Sequence, residues 1–280
     1  IQPMSGKVFF IPLLFLIILS FKAYEKDPAS IKSVNRQYSV ADSLFGLTNA
    51  SRQTDSLAMD GFQKVADQLM TLDRNAATDS ILFQSLFKGA ILLEVYGKFE
   101  PATRAYLQAL PYAPDETRRL KMYVFAGAGY YNQNNFDSAN YFLLKAEESP
   151  REKLETEDRV RLYNTLGVLY YDNGNYLQGK NYFSQALGII QQQNPADQFN
   201  SLSVQLNMAT CYYRLGLYDQ ALTIYRPALR HKLFLNQIYL NMGRAYAGLH
   251  HYAEALEYFR KVQVEKLPWV LNEMARVALE

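Results

Sequence analysis

The stretch Tyr163–Ala186, YNTLGVLYYDNGNYLQGKNYFSQA, decides the fold. Tyr163, Leu166, Gly167 and Tyr170 recur at intervals of three and four, the spacing that gathers side chains on one face of an α-helix. Gly174 and Tyr176 mark a turn, and Gly179, Phe183 and Ala186 begin a second helical face. The segment therefore reads as two antiparallel helices joined by a short connection. Glycine inside a helix is about 1 kcal/mol less favourable than alanine, so Gly167 needs a packing reason. Close approach of the second helix supplies one.

The same pattern extends in both directions. Upstream, Ala90 leads to a turn at Gly97 and Phe99, then to Ala102, Tyr106 and Ala109, with Pro101 suited to the first turn of its helix and Pro114 closing it. The next unit carries Tyr123, Gly127, Tyr130, Phe136, Ala139 and Ala146 and ends near Pro150. Downstream come Ala209, Tyr212, Gly216, Tyr218, Ala221, Tyr225 and Ala228, then Tyr239, Gly243, Tyr246, Tyr252, Ala255 and Phe259, with Pro268 beyond. The small first-helix residue falls at Ala90, Gly127, Gly167, Ala209 and Gly243, in steps of 37, 40, 42 and 34 residues. Self-similarity at such periods is the mark of a solenoid, in which each hairpin buries its apolar face against its neighbours. The long steps call for longer helices or a longer connection through Gln191–Asn200. Asp137 and Asp219 stand where each second helix begins and are expected to cap it.

Before this array, residues 25–36 are polar and read as a linker. Tyr38–Leu47 and Asp55–Leu72 show helical spacing, with Gly46, Ala58 and Phe62 at the offsets of a divergent hairpin. The chain is expected to divide into residues 1–24 (leader or anchor), 25–79 (linker and divergent hairpin), 80–265 (the array) and 266–280 (a capping helix or the start of a further repeat).

These positions resemble the tetratricopeptide repeat superfamily over about residues 80–265, and the 40–42-residue units are similar to the longer repeats of kinesin-light-chain-like members. The resemblance implies an all-α fold, a right-handed α-solenoid of antiparallel helix pairs whose first helices line a concave groove. It also implies binding of another protein or peptide, with no cofactor. In chaperone-binding members a lysine and an asparagine clamp a C-terminal carboxylate. Val124 and Ala128 occupy the matching places here, so an acidic chaperone tail is not the expected ligand. Arrays of this kind also precede effector domains such as a CHAT protease, a histidine kinase or a DNA-binding regulator. Fold alone does not choose among these uses.

Composition narrows the classes. Lys and Arg number 29 against 27 Asp and Glu, which disfavours a basic nucleic-acid binder; no nucleic acid is expected as partner. A single cysteine, Cys211, excludes an intrachain disulfide and a CxxC metal site. It lies beside Tyr212 with no base nearby and reads as a buried structural thiol. His250-His251 with Glu254 has metal-ligand residue types but no third ligand, and falls in a turn. Gly127-Ala128-Gly129 lacks the preceding strand and third glycine of a nucleotide loop. No GxSxG, HExxH or phosphate-loop pattern occurs, so no metal and no catalytic set is expected.

The run Val8–Phe21, VFFIPLLFLIILSF, follows Lys7, with Met4 as the expected start. Fourteen residues suit a signal-peptide core and fall short of the roughly 20 that span a bilayer. Export, with residues 8–21 either cleaved or retained as a membrane anchor, is the expected localisation.

The candidate binding residues lie on the first helices. Three hairpins carry tyrosine pairs, Tyr130-Tyr131, Tyr170-Tyr171 and Tyr212-Tyr213. The first of each reads as core; the second, turned by about 100°, is expected on the groove. Tyr131, Tyr171 and Tyr213 would offer contact area with a polar tip. Asn164, Asn207 and Asn241 would hydrogen-bond a peptide backbone, and Arg161, Arg214 and Arg244 would meet carboxylates. The function expected is a non-catalytic interaction scaffold or docking module of the cell envelope. The alternatives are an envelope protein binding a glycan or small peptide, and a regulatory array of a larger signalling or protease protein.

Overall fold

A computed structural model describes residues 31–47, 51–73, 75–263 and 270–279. The expectations for residues 1–24, including the apolar run at 8–21, lie outside the described residues. Among the described residues there are thirteen α-helices and no strand. They fall into two compact units, one reaching Ser149 and the other beginning at Pro150. The boundary between them falls in the proline-bearing connection at Ser149-Pro150.

The first unit comprises α1 (Ile31–Phe45), α2 (Arg52–Leu69), α3 (Ala76–Val95), α4 (Phe99–Ala109), α5 (Glu116–Asn132) and α6 (Phe136–Glu147). Sequential helices pack as pairs α1–α2, α3–α4 and α5–α6. Between α1 and α2, Ala41, Leu44, Ala58 and Phe62 form one core with Leu92 of α3. Helix α1 starts at Ile31, inside the stretch that reads as linker, because Ser33 and Val34 are buried despite their polar surroundings. Helix α3 is long and apolar enough to cross a membrane by length and composition. Here it packs against both α2 and α4.

The second unit comprises α7 (Thr156–Asp172), α8 (Tyr176–Gln193), α9 (Gln198–Arg214), α10 (Tyr218–Ala228), α11 (Leu235–Gly248), α12 (Tyr252–Arg260) and α13 (Val270–Ala278). The 42-residue step is explained mainly by α8, which runs 18 residues where α10 has 11. Val270 and Val277 of α13 close a core with Leu240, Ala255, Phe259 and Val262.

One turn geometry recurs in five hairpins. The residue seven beyond the small position adopts a left-handed backbone: Gly97 (φ 69°), Asn134 (58°), Gly174 (79°), Gly216 (75°) and His250 (62°). In the central hairpin the Asn175 amide donates to the Tyr170 carbonyl at 2.9 Å and the Gly174 amide to the Tyr171 carbonyl at 3.0 Å. This pair of bonds satisfies the last carbonyls of the first helix and aims the chain back along it. The geometry also corrects the capping expectation. Before α6 the cap is Asn135, as Asn175 is before α8, their side chains accepting from the Ser138 and Gln178 amides, while α10 starts after Leu217 without a side-chain cap. Asp137 and Asp219 sit one step inside the helix, where their charge favours the positive N-terminal end.

The packing reason for the glycines is visible directly. A β-carbon on Gly167 would lie 2.5–2.9 Å from three ring atoms of Phe183, and one on Gly243 would meet the Phe259 ring at 2.5 Å. At Gly127 the obstruction is Leu143 at 2.6 Å. Behind Gly167 the backbones themselves meet, since a β-carbon on Gly179 would stand 2.9 Å from the Gly167 carbonyl oxygen.

Candidate functional site

Tyrosines account for a recurring clamp. Phe142 lies 6.0 Å from Tyr123 and 5.6 Å from Tyr130. Tyr182 lies 6.2 Å from Tyr163 and 5.3 Å from Tyr170. Tyr258 lies 6.4 Å from Tyr239 and 5.3 Å from Tyr246. In each, two first-helix rings flank a second-helix ring, at distances typical of favourable aromatic pairs. Tyr130, Tyr170 and Tyr212, expected in the core, are half-buried.

The second tyrosines are also half-buried, each leaning on the first aromatic of the following helix: Tyr131 on Phe136 at 6.0 Å, Tyr171 on Tyr176 at 5.3 Å, Tyr213 on Tyr218 at 5.6 Å. Part of each ring is therefore spent on closing its own hairpin. The turn aromatic follows the second tyrosine by five residues in all three hairpins.

In the second unit three of the first helices stand side by side, α7 with α9 and α9 with α11. The Asn207 amide donates to the Asn164 carbonyl oxygen across α7 and α9 at 3.4 Å. Arg161, half-buried, lies one turn before Asn164. Arg214 is exposed and bridges repeats: its guanidinium lies 4.7 Å from the Tyr176 ring centre and 5.7 Å from that of Tyr171, and it donates to the Tyr176 hydroxyl. Burial pushes the Tyr171 hydroxyl above its ordinary pKa, against the opposing charge of Arg214.

Two candidates are engaged within the fold. Asn241 is only 5% exposed. It accepts from Gln237 at 3.3 Å and donates to the Thr210 hydroxyl at 3.5 Å, which in turn lies 3.2 Å from the hydroxyl of fully buried Tyr225. Its expected place on the groove is corrected to the core, since position 241 on α11 turns toward α9 and α10. Arg244 makes bonds of 3.0 and 3.2 Å to Glu273 of α13, which Arg276 also holds at 3.0 Å. Burial pushes the Glu273 carboxyl up, but the bonds and charges of both arginines outweigh it and hold it below the usual range.

Val124 and Ala128 are buried. His250 is the left-handed turn residue, 2.7 Å from the Tyr252 hydroxyl. Cys211 is fully buried, and burial pushes its thiol up to about 12. A thiol-specific reagent at neutral pH is thus expected to leave Cys211 unmodified in the native chain and to label it fully in denaturant. Stoichiometric labelling within minutes of the native chain would contradict this burial.

Stacked helix pairs with a small residue facing a large one across each pair define a helical-repeat solenoid. Residues 158–233 and 237–263 match models of the tetratricopeptide repeat, which assigns these two segments of the second unit to that repeat superfamily. The chain is 28% identical over 156 residues to the transcriptional activator NprA of Geobacillus stearothermophilus, covering 52% of this chain and 37% of NprA. It is 23% identical over 139 residues to the anaphase-promoting complex subunit CDC16 of Saccharomyces cerevisiae, covering 49% of this chain and 16% of CDC16. Both matches span well under two thirds of the relative's own length. Among solved structures, a Rap protein complexed with competence and sporulation factor superposes with a TM-score of 0.57 at 14% identity, over 95% of this chain and 86% of that one.

Proposed function

We propose that the protein is a non-catalytic scaffold that binds a protein or peptide segment along the first helices of its second unit. The observation that carries this reading is the polar row across adjacent helices: Arg161 and Asn164 on α7, then Asn207, Tyr213 and Arg214 on α9, with Tyr171 between. Packed helix axes lie about 8–10 Å apart, and an extended chain rises about 3.3 Å per residue. One helix step therefore matches about three peptide residues, so that side-chain amides on successive helices meet a peptide backbone at a regular interval. A solved Rap protein of similar fold, in complex with competence and sporulation factor, supports the reading. Asn241, and Arg244 while paired with Glu273, support the row from behind.

Panning a random dodecapeptide display library against the full chain tests this. Enriched peptides are expected, with affinity falling about tenfold or more in Asn164→Ala, Asn207→Ala and Tyr171→Ala while the far-ultraviolet circular dichroism stays unchanged. Failure to enrich, or enriched peptides indifferent to all three substitutions, would overturn it. Placement at the cell envelope is part of the proposal and rests on the apolar run at 8–21; recovery of the full-length protein in a soluble cytoplasmic fraction would contradict that part.

A further inference from the structure

The first unit contains a second, separate feature. Between α2 and α4, with α3 as its floor, lies an open cleft of about 220 Å³. Its floor is apolar, formed by Leu86 and Gly89, with Phe62 on the α2 side and Ala105 on the α4 side. Asp60 and Lys98 sit exposed at the rim. The space exists because the facing positions are small. A β-carbon built on Gly89 would meet only the Phe62 β-carbon, at 3.5 Å, an ordinary contact. Unlike Gly127, Gly167 and Gly243, this glycine is not pressed by a large side chain from the partner helix; it faces the cleft.

One group in this wall is unexplained by the fold. Ser85, 1% exposed, lines the cleft, and its hydroxyl has no hydrogen-bond partner among the described residues. A buried hydroxyl left unsatisfied is unfavourable, and such groups in native proteins call for a reason. The buried hydroxyls of Thr78 and Thr103 elsewhere in this unit bond to backbone carbonyls at 2.9 and 2.8 Å, so the lack at Ser85 is particular to its place.

We propose that this cleft is a binding site for a small aromatic group bearing a single hydrogen-bonding atom, of phenol or indole size, with Ser85 as its hydrogen-bond partner. Size sets the upper limit. A cavity of about 150 Å³ holds benzene, so 220 Å³ accommodates about nine non-hydrogen atoms by proportion. That suits a cresol or an indole and falls below a drug-sized pocket of about 300 Å³ or more. Polarity sets the rest: the apolar lining takes an apolar body, and the exposed rim carries one acid and one base beside the neutral Ser56 and Gln63, so no net charge is demanded. The ring can arrive as a free molecule or on a tyrosine or tryptophan of a partner. This site is independent of the peptide row on the second unit.

The test is titration of the full chain with p-cresol and with toluene, followed by nuclear magnetic resonance shifts and by displacement. The native chain is expected to prefer p-cresol about fivefold or more. Ser85→Ala is expected to bring the two to near parity with the fold intact. Gly89→Leu is expected to abolish both by filling the cleft, without lowering the melting temperature, because leucine favours helix over glycine. Ala105→Leu closes the cleft from the other wall and guards against misfolding of the first variant. Equal binding of toluene and p-cresol by the native chain, no binding of p-cresol up to millimolar concentration, or p-cresol binding retained in both filled variants would each overturn the proposal. Comparing p-cresol with N-acetyltyrosinamide then separates the sources, tighter binding of the amide favouring a peptide-borne ring and weaker binding a free one.

Discussion

Phe183→Ala is expected to lower the unfolding free energy by about 3–5 kcal/mol, the range for removing a fully buried aromatic, read as helix loss in urea. Phe183 is 1% exposed and its ring occupies the space that a side chain at Gly167 would need. Gly167→Ala alone forces a methyl against that ring. Overpacking of this kind costs about 1–3 kcal/mol, offset by about 1 kcal/mol of helix propensity. The two substitutions together should cost less than their sum, because the alanine methyl enters the void left by the ring. A favourable coupling of about 1–3 kcal/mol is expected from the double-mutant cycle. The fourth small position shows that a methyl can be accommodated where its neighbour differs: Ala209 coexists with fully buried Tyr225. Gly179→Ala provides the contrast. Its obstruction is the Gly167 carbonyl oxygen at 2.9 Å, a backbone atom that Phe183→Ala does not remove, so its cost should persist in the Phe183→Ala background. Additive effects for the Gly167 pair would show that the glycine is not held by that contact.

The repeat architecture was legible because its cause is local and periodic. Gly167, Gly174 and Phe183 each answer a steric demand that recurs at fixed offsets, and a single chain displays that demand several times over. Tertiary choices were less legible. Asn207 and Asn241 hold the same offset from their small residues, yet Asn207 is half-buried and Asn241 is in the core. The difference arises from neighbours: Thr210 and Tyr225 meet Asn241 from α9 and α10, and nothing in the local spacing of α11 announces them. Arg244 likewise depended on Glu273, nearly thirty residues away on a helix outside the repeat pattern. The cleft over Gly89 was hidden for the opposite reason. It arises where large residues are missing, and the orphan hydroxyl of Ser85 has meaning only once burial is known.

Asn241→Ala separates a supporting role from a binding one. The substitution removes a buried amide that joins Gln237 to the Thr210 hydroxyl. It also takes a partner from Tyr225, whose hydroxyl burial pushes up to about 12. With a void and unsatisfied groups left behind, a loss of about 2–3 kcal/mol is expected, measured by urea unfolding. Asn164→Ala removes only a long, half-buried bond to Asn207, so its stability should change by less than about 0.5 kcal/mol. The order should reverse for binding. Against a peptide enriched on the native chain, Asn164→Ala is expected to weaken affinity about tenfold. Asn241→Ala should bind with native affinity once the measurement is corrected for the folded fraction. Asn241→Asp would keep the shape while replacing the donor to Thr210 by an acceptor, and is expected to be destabilising near neutral pH and less so at low pH, where a protonated carboxyl can donate again. If Asn241→Ala instead unfolds like the native chain and loses the peptide, Asn241 belongs to the binding row, and the placement of that row on α7 and α9 alone is wrong.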